Sequence, residues 1–196
     1  LSFAILRPAL VFGKYDPTDR FYYWLYQIKR MNILLLPENG ERIFSTTYVS
    51  DLVETIIQSL EQNSSSGVYN VITNPKTSIS QLVAHARQVL KSDFAIINSS
   101  AEFLKKNNVA QWIDMPLWIN GDHFTYSNKK FTEELGIKTT DFKKAIENGV
   151  TLTECRTIDE VPMAVESDKN TIYYAILNGG VVLAVGISTY NDKAYN

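Results

Sequence analysis

The run Phe3-Ala4-Ile5-Leu6 constrains this chain more than any other feature. Its residues do not alternate in polarity, so it reads as a strand buried on both faces, the environment of a parallel sheet covered by helices. The strand runs into Arg7-Pro8, then Val11-Phe12-Gly13, then Asp16-Pro17-Thr18-Asp19-Arg20-Phe21. A strand that delivers a proline, a glycine and a cluster of charged and aromatic residues at its carboxyl end builds the ligand crevice of open α/β sheets. With that strand at the very start, the chain is read as the second half of a site whose first half lies outside it.

Composition sets bounds on function. With 196 residues, 45% hydrophobic and 20% charged, the chain can bury a sizeable core. A net charge of −2 gives no electrostatic drive toward nucleic acid or an anionic membrane, both of which favour a basic face. The pairs Lys105-Lys106, Lys129-Lys130 and Lys143-Lys144 fall on predicted helices and read as solvated faces. No apolar run reaches the ~18 residues of a membrane span, and the opening lacks the basic start of a signal peptide. The expected location is the cytoplasm. The single cysteine, Cys155, rules out an internal disulfide and suits a reducing compartment.

Strands and helices alternate along the chain. A helix dense in aromatics is predicted from Thr18, as N-cap, to Met31, followed by a short strand at Ile33 to Leu36 and a turn at Asn39-Gly40. Ser50 is read as the cap of a helix with the apolar stripe Leu52, Val53, Ile56, Ile57 and Leu60, which the polar stretch Asn63 to Gly67 ends. A strand at Val68 to Ile72 precedes the capping box Ser78/Gln81 and the stripe Ile79, Leu82, Val83, Ala86, Val89 and Leu90. After a strand at Phe94 to Ile97, Ser99 and Glu102 repeat the capping-box spacing. Helices at Asn128 to Leu135 and Asp141 to Asn148 are each stopped by a glycine, Gly136 and Gly149.

Beyond Leu152 the character changes. Val161 to Val165, Thr171 to Leu177 and Gly180 to Ile187 are apolar and β-branched, and Asn178-Gly179 between the last two is a strong hairpin signal. The expected organisation is therefore one unit at 1–152 and a β-rich tail of separate origin at 153–196.

Three motifs carry a family resemblance: Asp16-Pro17-Thr18-Asp19-Arg20-Phe21 with Tyr23-Trp24, then Tyr48-Val49-Ser50-Asp51-Leu52, then Trp112 with Met115-Pro116-Leu117-Trp118. In this order and spacing, they make residues up to Leu152 resemble the extended short-chain dehydrogenase/reductase family, often labelled NAD-dependent epimerase/dehydratase, and most closely its bacterial reductase-like members. The implied fold class is α/β, the C-terminal part of a Rossmann-type doubly wound fold with a small substrate lobe. The tail shows no such resemblance.

The family's cofactor cradle, a glycine-rich turn between first strand and first helix, is absent; the only glycine pair is Gly179-Gly180. Its catalytic pair is a tyrosine with a lysine four residues later, the lysine lowering the phenol's pKa. Tyr126 and Lys130 match that spacing but fall on a late structural helix, so no catalytic residue is assigned. By resemblance Pro8, Ala9 and Val11 lie beside the nicotinamide of NAD or NADP in a complete parent; the alternative is a plain strand end.

Substrate contacts are expected from Asp16, Arg20, Tyr23, Trp24, Trp112 and Trp118. The Arg20 guanidinium offers a planar fork for an anionic or carbonyl group, with a loop-pinning salt bridge to Asp16 or Asp19 as the alternative. Tyr23 and Trp24 are candidates for one pocket wall, against a core role for aromatics at helical spacing. Trp112 and Trp118 bracket Asp114-Met115-Pro116 as a lid over a small molecule, against a packed lobe anchor. His85 and His123 have no second ligand at metal spacing and read as structural. Nucleotide-sugar enzymes of the family carry an arginine where Phe44 stands, with Arg42 in reach only if the strand register differs.

The resulting expectation is the substrate-side half of an NAD(P)-dependent oxidoreductase or epimerase acting on a small carbonyl or hydroxyl compound, inactive and without cofactor as an isolated chain. A homodimer is allowed. The alternative is a non-catalytic binding or interaction module that uses the fold remnant and the β tail.

Overall fold

A computed structural model describes residues 3–61, 67–119, 121 and 123–154, with 150–154 and the strands at 172–176 and 182–186 as backbone only. The polar residues 63–66, Cys155, the 161–165 run and the Asn178-Gly179 turn lie outside the described residues.

The chain opens with β1 (Ala4–Pro8) and β2 (Leu10–Phe12), then α1 (Arg20–Arg30) and β3 (Ile33–Pro37). A short 3-10 turn at Glu38–Gly40 leads to β4 (Phe44–Tyr48), α2 (Val49–Glu61) and β5 (Gly67–Val71). Next come β6 (Asn74–Thr77), α3 (Ile79–Leu90), β7 (Ala95–Ser99) and α4 (Ala101–Lys106). α5 (Lys129–Leu135), α6 (Phe142–Glu154), β8 (Ile172–Ile176) and β9 (Val182–Gly186) complete the order. Pairing is parallel between β1 and β5, β2 and β4, and β3 and β7, so the fold is α/β with parallel strands.

Two cores follow from where the apolar stripes point. Ala4 and Leu6 of β1, with Tyr69 and Val71 of β5, pack against Leu52 of α2 and Phe131 and Leu135 of α5. The larger core joins α1 (Phe21, Trp24, Leu25, Ile28), α3 (Ile79, Leu82, Val83, Ala86) and α6 (Phe142, Ala145, Ile146) to Phe12 and Phe44. Phe12 stacks on Phe21 at 4.4 Å between ring centroids, which fixes the angle at which the chain leaves β2 for α1.

Several local expectations are corrected. Among the described residues β1 is covered by helices on its Ala4/Leu6 side, while Phe3 and Ile5 are 52% and 40% exposed. Thr18 does not cap α1; the N-cap is Asp19, in the left-handed region at φ 50, and its side chain makes no cap bond. Thr18 instead turns back to Asp16.

Ser50 lies exposed within α2, which already begins at Val49. The α2 stripe splits, since Val53 and Ile57 face outward while Asp51, Leu52 and Thr55 are buried. The cap of α4 is Ser100, one residue past the expected Ser99. Gly149 does not end α6, which runs on to Glu154; a Cβ added at Gly149 would lie 3.9 Å from Leu25 Cδ1, in ordinary contact. The capping of α3 by Ser78, whose hydroxyl accepts from the Gln81 amide, and the left-handed Gly136 after α5 follow the expectation.

Candidate functional site

Three segments build the site: the strand ends Pro8 to Phe12, the loop from Gly13 to Asp19, and the loop from Ala110 to Trp118. Ala9 is placed by a threonine. Its amide donates to Thr47 Oγ1 at 2.9 Å, and that hydroxyl donates to the Val71 carbonyl at 2.6 Å, so one side chain of β4 links the β1–β2 junction to β5. Pro8, Ala9 and Val11 are half-buried, and Val11 pairs with Thr47 across the β2/β4 ladder.

The Gly13 to Asp19 loop is held by an Asx turn. Asp16 Oδ1 accepts from the Thr18 amide at 2.9 Å and from its hydroxyl at 2.6 Å. Burial pushes the Asp16 carboxyl above its ordinary value, opposed by those two bonds and by the Arg20 charge. Gly13, at φ 126, is required here: a Cβ would lie 2.7 Å from Val49 Cγ1. Its bareness lets the loop press onto the start of α2, and leaves no open cradle for a phosphate.

Arg20 donates from Nε to Thr18 Oγ1 at 3.0 Å, and its guanidinium carbon sits 5.3 Å from the centre of the Trp112 ring. Its charge interacts with Asp16, one of the two carboxylates of the loop-pinning alternative. Burial lowers its pKa, partly offset by the Asp16 charge at longer range. Arg20 therefore couples the first loop to the second.

The second loop is tightly folded. Trp112 and Leu117 both hold positive φ, 67 and 65, and the Ala110 amide donates to Asp114 Oδ2 at 2.6 Å. Trp112 is half-buried and packs against the main core. Tyr23, half-buried on α1, has its phenol pushed up mainly by burial and also by the Asp114 charge, while a bond with Gln27 lowers it.

Trp24, expected in a pocket wall, and Trp118, expected in a lid, both lie in the main core. Trp24 is fully buried and donates Nε1–H to the Pro116 carbonyl at 2.9 Å. Trp118 is 3% exposed and donates to Glu38 Oε2 at 3.0 Å. Both indole N–H groups have acceptors, which lets the rings be buried.

Sequence reasoning missed a buried polar node beside the site. Asp51 accepts from Thr73 Oγ1 at 2.7 Å, from the Thr140 amide at 3.0 Å and from Thr140 Oγ1 at 2.6 Å. Thr73 Oγ1 also accepts from the Tyr48 amide at 2.8 Å. The available signal was a carboxylate in the first turn of a helix with threonines inside otherwise apolar strands.

Other candidates separate cleanly. Tyr126 and Lys130 form no pair: Lys130 Nζ lies 4.8 Å over the Tyr69 ring and donates to the Val68 carbonyl. Phe44 is fully buried, and Arg42 donates to the Gly121 carbonyl at 2.7 Å and pairs with Glu38 at 3.2 Å. His123 Nδ1 accepts from the Ile43 amide at 3.1 Å. Among the described residues no group of His, Cys, Asp or Glu is arranged to hold a metal, and no helix is long and apolar enough to cross a membrane.

No family model matches this chain, and no curated protein matches its sequence. Solved structures do match its fold. UDP-glucose 4-epimerase of Thermotoga maritima aligns with a TM-score of 0.59 at 17% identity over 79% of this chain and 47% of that one. UDP-N-acetylglucosamine 4-epimerase of Bacillus cereus gives 0.58 at 18% identity over 78% and 46%. RMD of Pseudomonas aeruginosa, solved with NADPH, gives 0.60 at 15% identity over 79% and 49%. The chain has the Rossmann-type fold of these proteins, and spans about half the length of each.

Proposed function

We propose that this chain supplies the substrate-side half of an NAD(P)-dependent oxidoreductase or epimerase of the extended short-chain type, acting on a small carbonyl or hydroxyl compound in the cytoplasm. The observation that supports it most is the junction of two loops through Arg20 over Trp112, beyond the carboxyl ends of parallel strands. Open α/β sheets place ligands there, and Asp16, Tyr23 and Trp112 line the same junction. Pro8, Ala9 and Val11 are the positions that would flank a nicotinamide.

The described residues hold no glycine-rich turn opening a helix, so the cradle for a pyrophosphate belongs to another part of the parent. Trp24 and Trp118 have no share in ligand contact. Among the solved neighbours, one is described with UDP-glucose and another with NADPH.

Two results test the reading. The isolated chain is expected to bind neither NADH nor NADPH by calorimetric titration, and micromolar binding would overturn the division of labour. In the full-length parent, Arg20→Ala is expected to lower kcat/KM about tenfold or more with cofactor affinity nearly unchanged, because a charge-assisted contact contributes ~1.5–3 kcal/mol. Unaltered kinetics would restrict Arg20 to joining the two loops.

A further inference from the structure

Thr18 stands between two charged groups of the site. Its hydroxyl donates to Asp16 Oδ1 at 2.6 Å and accepts from Arg20 Nε–H at 3.0 Å, while its amide donates to the same Asp16 oxygen at 2.9 Å. A hydroxyl has one proton to give, and an ionised carboxylate only accepts. The carboxylate therefore fixes which way the hydroxyl points. Its lone pairs are left toward Arg20, and Nε–H is the donor that meets them.

The consequence falls on the guanidinium. Of its five N–H donors one is taken by Thr18, and the other four lie on the two Nη atoms. One flat face lies over the Trp112 ring, 5.3 Å from its centre. With Nε held and that face covered, the edge left for a ligand is the Nη edge, approached in the guanidinium plane. Without the hydroxyl, Arg20 would keep its indole but be free to turn about its long axis, and that edge would lose its single direction.

We propose that Thr18 is a positioning residue of this site: by bridging Asp16 to Arg20 Nε, it aims the Nη edge of Arg20 at the oxygen-bearing group of the substrate. The proposal rests on the reading of Arg20 as a substrate contact given above. Thr18 acts through Arg20 and touches no ligand in this role. Thr18→Val keeps the side-chain volume and removes both hydroxyl bonds, whereas Thr18→Ser keeps them.

A double-mutant cycle in the full-length parent tests it, together with the Arg20 Nε–H resonance of this chain, which is independent of turnover. Thr18→Val is expected to lower kcat/KM about fivefold, chiefly through KM, and Thr18→Ser to stay within about twofold of the unmodified protein. Added to Arg20→Ala, Thr18→Val is expected to cost nothing further, because the group it aims is gone. Unaltered kinetics in Thr18→Val, losses that add, or a Thr18→Ser as impaired as Thr18→Val would overturn the positioning role and leave Arg20 as a substrate contact. Full activity in Arg20→Ala would overturn both. In the spectrum, the Nε–H shift is expected to titrate with a midpoint above the ordinary aspartate value, since burial raises the Asp16 pKa against the Thr18 bonds and the Arg20 charge, with the Asp19 charge adding to the rise. Thr18→Ser is expected to keep that titration and Thr18→Val at least to halve its amplitude. An undiminished titration in Thr18→Val would mean that Asp16 acts on Arg20 through space, and would overturn the bridge.

Discussion

Asp51→Ala is expected to destabilise the fold by about 3–5 kcal/mol, because each buried donor left without its acceptor costs ~1–3 kcal/mol and three donors converge on this carboxylate. Thr140 is half-buried, so water recovers part of the loss, and the total stays below the sum of three full penalties. Asp51→Asn retains one acceptor oxygen but brings an amide against donating hydroxyls, with an expected cost of ~1–2 kcal/mol. Urea denaturation midpoints at constant slope measure both. A loss for Asp51→Ala of under about 1 kcal/mol would mean that the threonines re-pair among themselves.

Trp24→Ala is the second large effect. The side chain is fully buried in the main core, so truncation leaves a cavity costing about 3–5 kcal/mol, with the Pro116 carbonyl orphaned in addition. Trp24→Phe separates the two contributions: ring volume is nearly kept and the N–H is lost, for an expected ~1–2 kcal/mol. The effect reaches the site. Hydrogen exchange over residues 110–118 should accelerate in both variants, since the loop hangs from Trp24 through Pro116. Protection unchanged in Trp24→Ala would show that the loop is held by its own internal bonds.

What could be read in advance follows from how local each signal is. Ser78 before α3 and Gly136 after α5 act within a few residues of themselves, and both operate as expected. The strands β2, β4 and β6 left little trace. β4 is entirely buried yet reads Phe-Ser-Thr-Thr-Tyr, because Ser45 and Thr47 satisfy their hydroxyls on the carbonyls of Pro75 and Val71, partners no local pattern reveals.

The same reason explains the tryptophans. An indole is equally at home lining a ligand pocket or inside a core with its N–H satisfied. For Trp24 the deciding acceptor, Pro116, lies 92 positions away in sequence. Arg20 and Trp112 were each legible as polar or amphipathic candidates, but their stacking is a tertiary event. Asp51 was passed over because a carboxylate in a first turn is normally a surface residue serving the helix dipole.

The loop at Ala110 to Trp118 carries a lesson for anyone wishing to transplant it. Two of its non-glycine residues sit in the left-handed region, an arrangement costing of order 1–3 kcal/mol each and persisting only where the surroundings over-determine it. Here the surroundings are an indole from α1, a carboxylate from the Glu38 turn and the guanidinium of Arg20. Grafted alone onto another scaffold, the loop would relax and lose its shape. The portable unit is the loop together with α1 and the Glu38 turn, and a library that varies Trp112 to Trp118 while holding those supports fixed would sample new crevices without discarding the frame.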